Sequence, residues 1–165
     1  MSTITSVRNV VSQCIKIGCR TGAFTGSEMK VLGEVLKEWA VSRGRDYHLN
    51  LSFGKEGEID GFVIYGKAPM TQFSWDIYWI VMSPESQGKG KGKSLVRTVE
   101  KRLLRSGGPV IVRIETSGRP SYGRQRRFYE ACGYSVVGCI EDFYSHGDAL
   151  ITYVKRLEST KPNFC

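Results

Sequence analysis

The segment 84–94 constrains the fold of this chain more than any other part of the sequence. It lies between an apolar run at 75–82 and an amphipathic pattern at 91–104, and it reads Pro-Glu-Ser-Gln-Gly-Lys-Gly-Lys-Gly-Lys-Ser. Its three alternating glycines let the backbone approach an anion closely, and the positive end of a following helix would face that anion. The sequence therefore predicts a strand, a phosphate-binding loop and a helix in direct succession.

Two common nucleotide-binding loops do not fit this segment. A Walker A loop has the form G-x-x-x-x-G-K-[ST], and its alignment on Gly92-Lys93-Ser94 would require glycine at the position of Gln87. The Rossmann form G-x-G-x-x-G also fails, because neither glycine pair is followed by a third glycine at the required distance. The segment therefore predicts a phosphate site of another kind.

The hydrophobic periodicity of the remaining chain predicts an α/β order. Thr25 and Glu28 have capping-box spacing, and the apolar face that follows predicts a helix over 26–42. An earlier helix is expected over 7–19, with a strand at its start as the alternative. Strands are expected at 47–53, 61–65, 75–82, 109–115, 135–140 and 149–157, and later helices at 91–104 and 122–131. This order indicates a sheet with at least one crossover near its middle.

Length and composition fit one soluble domain. The 165 residues suffice for one continuous core, and 41% hydrophobic with 24% charged residues is typical of globular proteins. No apolar run approaches the roughly 20 residues that cross a bilayer, and the first residues lack the pattern of a secretion signal. We therefore expect a single domain over 1–165, located in the cytoplasm and without a membrane partner.

The cysteines do not indicate a disulfide framework or a zinc site. They are odd in number and form no paired C-x-x-C motif: Cys14, Cys19, Cys132, Cys139 and Cys165. We expect buried or free thiols and no bound metal. A reactive cysteine would need a basic, partly exposed setting, with His48 or His146 as its imidazole partner.

The net charge of +8 is distributed unevenly. The window 87–127 contains twelve Lys or Arg residues against Glu100 and Glu115, which gives it +10 and leaves −2 for the rest of the chain. Such polarity indicates an anionic partner, namely a phosphorylated cofactor, nucleic acid or a membrane surface. The alternative is a solvated basic helix face.

Two motifs in order resemble the signatures of the GNAT superfamily of N-acyltransferases. Gln87–Gly92 has the form Q-x-x-G-x-G and follows a strand and Met82-Ser83-Pro84, like the acyl-CoA loop of that family. Phe128–Tyr134 resembles the second signature, F/L-Y-x-x-x-G-F/Y. The resemblance covers roughly residues 25–157, and the chain is similar to a bacterial subgroup of small GNAT proteins with mostly unassigned acceptors.

The resemblance implies a fold and a way of binding acetyl-CoA. The fold is an α/β (α+β) acyltransferase fold, with a mostly antiparallel mixed sheet that is flanked by helices. This sheet is splayed between the family's fourth and fifth strands, here 75–82 and 109–115. Acetyl-CoA would lie in the gap, with pantetheine on the backbone of one strand and pyrophosphate on the loop amides. The cofactor-binding residues implied are Val81, Met82, Gln87, Gly88, Lys89, Gly90, Lys91, Gly92, Lys93, Ser94 and Tyr122. The lysines would add charge, although Lys89 and Lys91 could simply be solvated.

One position departs from the family pattern. Many GNAT sequences have asparagine seven residues before the signature tyrosine, where it helps to hold the cofactor. This chain has Tyr122 there. A side-chain amide contact is therefore not expected, and Tyr122 could instead stack on, or hydrogen-bond to, cofactor or substrate.

The transfer step needs a group that accepts a proton from the amine. An alkylammonium of pKa about 10.4 is neutral in only about one molecule in a few thousand at pH 7. Asp76 falls near the strand carboxylate that several GNAT enzymes use as a base, and Glu115 is the rival; either could act through water. The alternative for Asp76 is an exposed polar residue at the start of a strand. Tyr129 matches the family's general acid, and its alternative is a core aromatic beside Phe128.

The acceptor end of the site is expected around the last strand connection. Glu141–Asp148 supplies carboxylates and aromatics that suit a cationic amine, although it could equally be a polar turn. The substrate-binding residues expected are Tyr78, Asp142, Tyr144 and His146. Four classes of acceptor remain open: a polyamine, an amino acid, an aminoglycoside-like molecule and a protein N-terminus. An acyl group longer than acetyl and the formation of a homodimer also remain open.

The function expected from the resemblance is N-acetyl transfer from acetyl-CoA to a primary amine of a small molecule or peptide, by direct attack in a ternary complex. The alternative is a non-catalytic module that uses the basic loop to bind acyl-CoA or nucleic acid. Single-stranded nucleic acid is usually bound with aromatics among the basic residues, and no aromatic lies between Gln87 and Gly118. We therefore do not expect a nucleic-acid partner.

Overall fold

The order of helices and strands agrees with the sequence prediction. The computed structural model of the protein describes residues 6–105 and 107–158, so Cys165 lies outside the described residues. The elements are α1 (Val7–Thr21), α2 (Gly26–Ser42), β1 (His48–Phe53), β2 (Ile59–Lys67), β3 (Ser74–Met82), α3 (Lys91–Leu104), β4 (Val110–Ser117), α4 (Gly123–Ala131), β5 (Ser135–Ser145) and β6 (Asp148–Leu157). Short 3₁₀ turns at Pro84–Ser86 and Pro120–Tyr122 precede α3 and α4. No described helix is both long enough and apolar enough to cross a membrane.

The strands form one mixed sheet in the order β1-β2-β3-β4-β6-β5. The pairs β1–β2, β4–β6 and β5–β6 are antiparallel, and β3 is parallel to β4. The succession β3, α3, β4 is therefore the predicted crossover. The ladder between β3 and β4 pairs Ser74–Ile77 with Ile111–Ile114, so it covers only the first part of β3.

The described residues fall into two compact units. The first extends to Gly66 and includes Trp79–Val96. In its core, α1 and α2 pack against β2 through Cys14, Leu36 and Phe62, whose side chains are fully buried. Full burial of a side chain such as Leu36 or Phe62 stabilises the fold by roughly 1.5–3 kcal/mol.

Helix α2 begins at the predicted capping box. The Thr25 hydroxyl accepts a hydrogen bond from the Glu28 amide at 3.2 Å, and the Glu28 carboxylate accepts one from the Thr25 amide at 2.7 Å. These two bonds satisfy amides that have no partner within the helix. The helix ends at Arg43, which adopts a left-handed conformation with φ of 53°.

The second unit comprises Lys67–Tyr78 and the chain from Arg97 onward. Its buried acid is Glu100, which accepts hydrogen bonds from Tyr134 Oη at 3.0 Å and from Lys155 Nζ at 2.9 Å. Lys155 also donates to the carbonyl of Cys132 at 2.8 Å. Burial and the adjacent Glu100 raise the pKa of Tyr134. Glu100 is thus an internal counter-ion, and it neutralises none of the exposed charge of α3.

The connection between β5 and β6 is shorter than the sequence analysis predicted, so the interpretation of Glu141–Asp148 as a loop is wrong. Strand β5 continues to Ser145, and only His146 and Gly147 separate it from β6. The register shifts between Ile140 and Ser145, and Asp142 has a positive φ of 54°. Such an irregularity breaks the alternation of side chains on which strand prediction depends.

Candidate functional site

The glycine loop is exposed and adopts a backbone conformation that favours glycine. Gly88 has φ of 73° and Gly90 has φ of 75°, a region that side chains disfavour. A Cβ atom placed on either residue would meet nothing within 4 Å, so backbone conformation, and not crowding, requires glycine here. The loop leads directly into Lys91, the first residue of α3, where free helix amides follow. This arrangement suits a bound anion.

The side chain of Gln87 ties the loop to the end of β3. Its Nε2 donates a hydrogen bond to the carbonyl of Met82 at 3.0 Å.

The end of β3 also contacts β2. Val81 is buried and Met82 half-buried, and a Cβ on Gly61 of β2 would lie 2.4 Å from the Met82 sulfur. The strand that precedes the loop is therefore packed closely against β2.

Asp60 of β2 is a site residue that the sequence analysis missed. Its buried carboxylate accepts hydrogen bonds from Ser86 Oγ at 2.8 Å and from Lys91 Nζ. Its backbone carbonyl also accepts one from the Ser83 amide at 2.8 Å. These contacts flank the loop Gln87–Gly90, so one residue holds both of its ends. The available sequence signal was an acid within an otherwise apolar strand.

The Asp60 contact changes the interpretation of Lys91. Lys91 Nζ forms an ion pair with Asp60 and donates to the carbonyl of Phe53 at 3.2 Å. Burial raises the pKa of Asp60, but hydrogen bonds from Lys91, Ser52 and Ser86 and the charge of Lys91 outweigh this effect and leave the pKa below its ordinary value. Lys91 therefore acts on the loop through Asp60, whereas Lys89 is exposed and Lys93 half-buried.

Tyr129 of α4 lies in an aromatic cluster, and its role as general acid stays a prediction. Its ring packs edge-on against Phe128 at 6.0 Å and against Tyr153 at 5.6 Å between centroids. Burial raises the pKa of Tyr129 to about 12, and a hydrogen bond with Thr116 counters this shift in part. The phenol therefore remains protonated at neutral pH, and it can donate a hydrogen bond.

Asp76 is buried, so its interpretation as an exposed residue at the start of a strand is wrong. Arg113 of β4 donates to both of its carboxylate oxygens, from Nε at 2.7 Å and from Nη2 at 3.0 Å. Glu115 is exposed, and its Oε1 lies 3.3 Å from Arg113 Nη1. The hydrogen bond to Asp76, followed by the charges of Asp76 and Glu115, raises the pKa of Arg113. The two candidate bases therefore share one permanent cation.

A buried aspartate shapes the turn that precedes α4. Asp148 accepts a hydrogen bond from Ser117 Oγ and pairs with Arg119 Nε at 3.0 Å. Arg126 of α4 donates to the carbonyls of Ser117 at 2.7 Å and Arg119 at 2.8 Å. Tyr122 closes this turn and is half-buried. The backbone amide of Tyr122, the residue in the family's asparagine position, donates to the carbonyl of Arg119 at 3.0 Å.

The structure brings two of the predicted acceptor residues together. Asp142 Oδ2 lies 3.6 Å from His146 Nδ1, and Asp142 Oδ1 accepts a hydrogen bond from the Gly147 amide at 2.6 Å. The ring of Tyr144 lies 5.1 Å from that of Phe143. Tyr78 of β3 is exposed. Asp142 therefore stabilises the β5–β6 turn, whatever else it contacts.

Among the described residues, no group of three His, Cys, Asp or Glu side chains is arranged to hold a metal ion. Cys14 and Cys132 are buried and Cys19 and Cys139 are exposed, and none of these four cysteines forms a disulfide bond. Burial raises the pKa of Cys14 to about 12, which disfavours the reactive thiolate.

The comparison with protein families agrees with this geometry. The profile of the acetyltransferase (GNAT) family matches residues 18–134, a range that includes the glycine loop and Tyr129. The chain belongs to the GNAT family. Within this GNAT protein, both signature motifs lie on the elements that were expected to carry them. No significant match was found among curated proteins.

Solved structures with the same fold include proteins with different acceptors. A protein from Desulfovibrio desulfuricans, described as a GNAT-family acetyltransferase, has 31% identity and a TM-score of 0.81, with 88% of this chain and 91% of that chain covered. An aminoglycoside 6′-N-acetyltransferase in complex with coenzyme A has 16% identity and a TM-score of 0.70, with 92% and 93% covered. The ribosomal-protein-S18-alanine N-acetyltransferase from Escherichia coli has 18% identity and a TM-score of 0.69, with 97% and 95% covered. The last two likenesses concern the fold alone.

Proposed function

We propose that this GNAT protein transfers an acetyl group from acetyl-CoA to a primary amine by direct attack in a ternary complex. The glycine loop carries the proposal, because Gly88 and Gly90 expose the backbone directly before the N-terminus of α3. In this arrangement the amides of Gln87–Ser94 hold the pyrophosphate, and the backbone of Val81 and Met82 meets the pantetheine. Crystallisation of the aminoglycoside acetyltransferase with coenzyme A supports this donor.

The reaction forms a bond between the amine nitrogen and the acetyl carbon, and it breaks the bond between that carbon and the sulfur. A proton leaves the amine, and the departing thiolate of CoA gains one. A strand-β3 backbone amide would stabilise the negative charge on the acetyl oxygen in the tetrahedral intermediate. Tyr129 would donate its hydrogen bond to the departing sulfur.

We assign the proton acceptor to Glu115, acting directly or through one water. Both carboxylate oxygens of Asp76 already accept hydrogen bonds from Arg113, so Asp76 has less capacity to receive a proton. Glu115 is exposed and meets the same guanidinium at a longer distance. Asp76 then serves to fix the position of Arg113, and through it that of Glu115.

The acceptor proposed is a cationic amine on a small molecule or peptide. The β5–β6 hairpin carries Asp142 and Tyr144, which offer a carboxylate and an aromatic ring to an ammonium group. The decisive experiment measures the release of CoA thiol from acetyl-CoA in the presence of polyamines, amino acids, aminoglycosides and peptides. We expect at least one class of amine to accelerate release. Tight acetyl-CoA binding without acceleration by any amine would contradict the proposal and favour a non-catalytic acyl-CoA-binding module.

Replacement of Glu115 by glutamine is expected to lower kcat/KM for the amine by about 10²-fold at pH 7, because glutamine cannot accept a proton. The measurement is a pH profile of kcat/KM, in which the variant should lose the dependence on the ionised carboxylate. Asp76→Asn is the matched control, and we expect it to cost stability but to retain that dependence. A normal profile in Glu115→Gln, with the dependence lost in Asp76→Asn, would reverse the assignment.

Replacement of Asp60 by asparagine is expected to weaken acetyl-CoA binding by about tenfold, with a smaller change in kcat at saturation, because the loop loses its charged anchor. Isothermal titration and steady-state kinetics would measure the two effects. Glu58→Gln is the matched control, since Glu58 is exposed and lies two residues away on the same segment. Normal affinity in Asp60→Asn would contradict this positioning role.

The same variant has a defined pH signature. The pKa of Asp60 is lower in the folded protein than in the unfolded chain, where it is about 3.9. The ion pair therefore stabilises the fold fully above the unfolded pKa, and this stabilisation is lost as the pH falls through the pKa of Asp60 in the folded protein. Urea unfolding at neutral and acidic pH should therefore show a larger loss of stability for the wild type than for Asp60→Asn. Equal losses would indicate that the ion pair does not form in solution.

A further inference from the structure

Three polar side chains next to the end of α4 form a network to which the proposed reaction assigns no role. Glu100 and Tyr134 are buried, and the side chain of Lys155 is only 23% exposed. One carboxylate oxygen of Glu100 accepts hydrogen bonds from Tyr134 Oη and from Lys155 Nζ, and the other accepts a second one from Lys155 Nζ at 2.9 Å. Replacement of a buried ion pair by apolar side chains is often neutral or stabilising, so stability alone does not account for such a pair.

Lys155 contacts each residue of the turn that follows α4. Its Nζ donates a hydrogen bond to the carbonyl of Cys132 at 2.8 Å, and it lies 5.5 Å from the ring centroid of Tyr134. Between these two residues, Gly133 has φ of 88°, and a Cβ placed on it would lie 3.5 Å from Lys155 Cε. One side chain therefore holds the whole turn.

The same turn donates the hydrogen bonds that fix the backbone of Tyr129. The carbonyl of Tyr129 accepts one from the Cys132 amide at 3.0 Å and one from the Tyr134 amide at 3.1 Å. Tyr153 lies two residues before Lys155 on β6, so both side chains are on one face of the strand, and the Tyr153 ring packs against that of Tyr129. This face of β6 thus contacts both the ring of Tyr129 and the turn that binds its backbone.

Helix α4 depends on such contacts for its position. It has nine residues, and every residue of Gly123–Ala131 keeps part of its surface exposed. A helix of this length is not stable by itself and is held by tertiary contacts. Arg126 binds the carbonyls of Ser117 and Arg119 near the start of α4, and Lys155 binds the turn at its end. The position of Tyr129 along the helix is therefore sensitive to the network at that end.

We propose that Glu100 and Lys155 are positioning residues, which hold the hydroxyl of Tyr129 at the place where the departing thiolate forms. Lys155 acts through its hydrogen bond to the Cys132 carbonyl, and Glu100 fixes the ammonium group of Lys155. This assignment rests on the proposed function, because it concerns the same reaction. A misplacement of about 1 Å at a reacting group can lower a rate by about 10²-fold, so a contact outside the site can affect turnover.

Lys155→Met tests the assignment, because methionine keeps an unbranched side chain of similar length but has neither charge nor donor. We expect kcat to fall by about 10- to 50-fold, with the affinity for acetyl-CoA within about twofold. In a Tyr129→Phe background the same substitution should change kcat by less than about twofold, because no hydroxyl is left to position. Arg156→Met is the matched control, since Arg156 is the next residue of β6 and is exposed. Equal losses in both backgrounds would indicate general damage to the fold and contradict the assignment.

A charge-balanced variant keeps the test valid if Lys155→Met folds poorly with Glu100 left unpaired. The double variant Glu100→Gln, Lys155→Met removes both charges, so urea unfolding should show higher stability than in the single variant. We expect kcat to stay low, because the hydrogen bond to the Cys132 carbonyl is still absent. Recovery of kcat together with stability would mean that the pair serves stability only, and the positioning role would be wrong.

A measurement without turnover separates this assignment from the proposed reaction. In NMR spectra of protein with ¹³C-labelled tyrosine, the ring signal of Tyr129 is identified by its loss in Tyr129→Phe. We expect this signal to shift in Lys155→Met and in the double variant, and to stay unchanged in Arg156→Met. An unshifted signal would overturn the positioning role whatever the activity. A shifted signal in a protein whose thiol release no amine accelerates would support the positioning contact and contradict the proposed reaction instead.

Discussion

Replacement of Tyr129 by phenylalanine is expected to lower turnover at saturating acetyl-CoA and acceptor by about 10²- to 10³-fold, while the affinity for acetyl-CoA stays within about twofold. The substitution removes the hydroxyl that would donate to the departing sulfur and leaves the ring packing against Phe128 and Tyr153. Single-turnover kinetics with a thiol reagent would measure the chemical step. Equilibrium titration of acetyl-CoA would measure binding.

The raised pKa of Tyr129 limits the ability of its hydroxyl to donate a proton. A phenol of pKa about 12 is a weaker acid than the CoA thiol, which has a pKa of about 8.5 when unperturbed. Complete proton transfer to the thiolate is therefore uphill, so we expect the hydroxyl to act chiefly by stabilising the developing negative charge. The proton that the thiolate gains would then be the one that the amine loses, passed on by Glu115 or by the water between them. The turnover defect should accordingly be similar at pH 7 and pH 9.

The control for this prediction is Tyr153→Phe. Tyr153 lies beside Tyr129 in the same aromatic contact, and its hydroxyl donates to Glu130 at 3.1 Å. Loss of that bond is expected to cost about 1 kcal/mol of stability with little change in turnover. Unchanged turnover in Tyr129→Phe, or equal defects in both variants, would exclude a specific role for the Tyr129 hydroxyl.

Replacement of Gly90 by valine is expected to reduce the affinity for acetyl-CoA by at least about 100-fold. Gly90 has φ of 75°, and a β-branched residue in this left-handed region is strained by more than the roughly 1–2 kcal/mol typical of other side chains. Relief of this strain would move the amides of the loop, and the new side chain would occupy the open space in front of them. Titration with acetyl-CoA and with desulfo-CoA would measure the loss.

A matched control separates strain from loss of the site. Gly57 lies in the turn between β1 and β2, has φ of 83°, and likewise has no atom within 4 Å of a Cβ placed on it. Gly57→Val should therefore lower the free energy of unfolding about as much as Gly90→Val does, with normal acetyl-CoA affinity. Normal affinity in Gly90→Val would contradict the proposal that this loop binds the donor.

The sequence was most informative where the determinants are local. The capping box of α2, the succession from β3 to α3 and the two GNAT motifs each depend on residues that are close in the chain. Hydrophobic periodicity and turn residues report such local structure directly. The boundaries of α3 were predicted without error because a glycine loop precedes the helix and two glycines follow it.

The site residues that sequence reasoning missed or misread depend on distant parts of the chain. Asp60 becomes an anchor of the loop only because Lys91, 31 positions later, reaches it. The burial of Asp76 likewise depends on Arg113, which is 37 positions away on a parallel neighbour. A single sequence contains no signal for such pairs, since the contact of Asp60 with Lys91 arises from the packing of a helix end on a strand, and that of Asp76 with Arg113 from strand register. The irregular end of β5 was missed for a related reason, because its ladder with β6 shifts at that point.

The anchoring of the glycine loop by Asp60 has a consequence for the thermodynamics of donor binding. Ordering a flexible backbone costs about 1–2 kcal/mol of conformational entropy per residue. The loop Gln87–Gly90 is already fixed at Ser86 and Lys91, so most of this entropy is lost when the chain folds and little when the donor arrives. The wild type should therefore bind its donor with a less unfavourable entropy change than Asp60→Asn. In that variant, part of the conformational entropy of the loop would be lost only when the donor binds, and not when the chain folds.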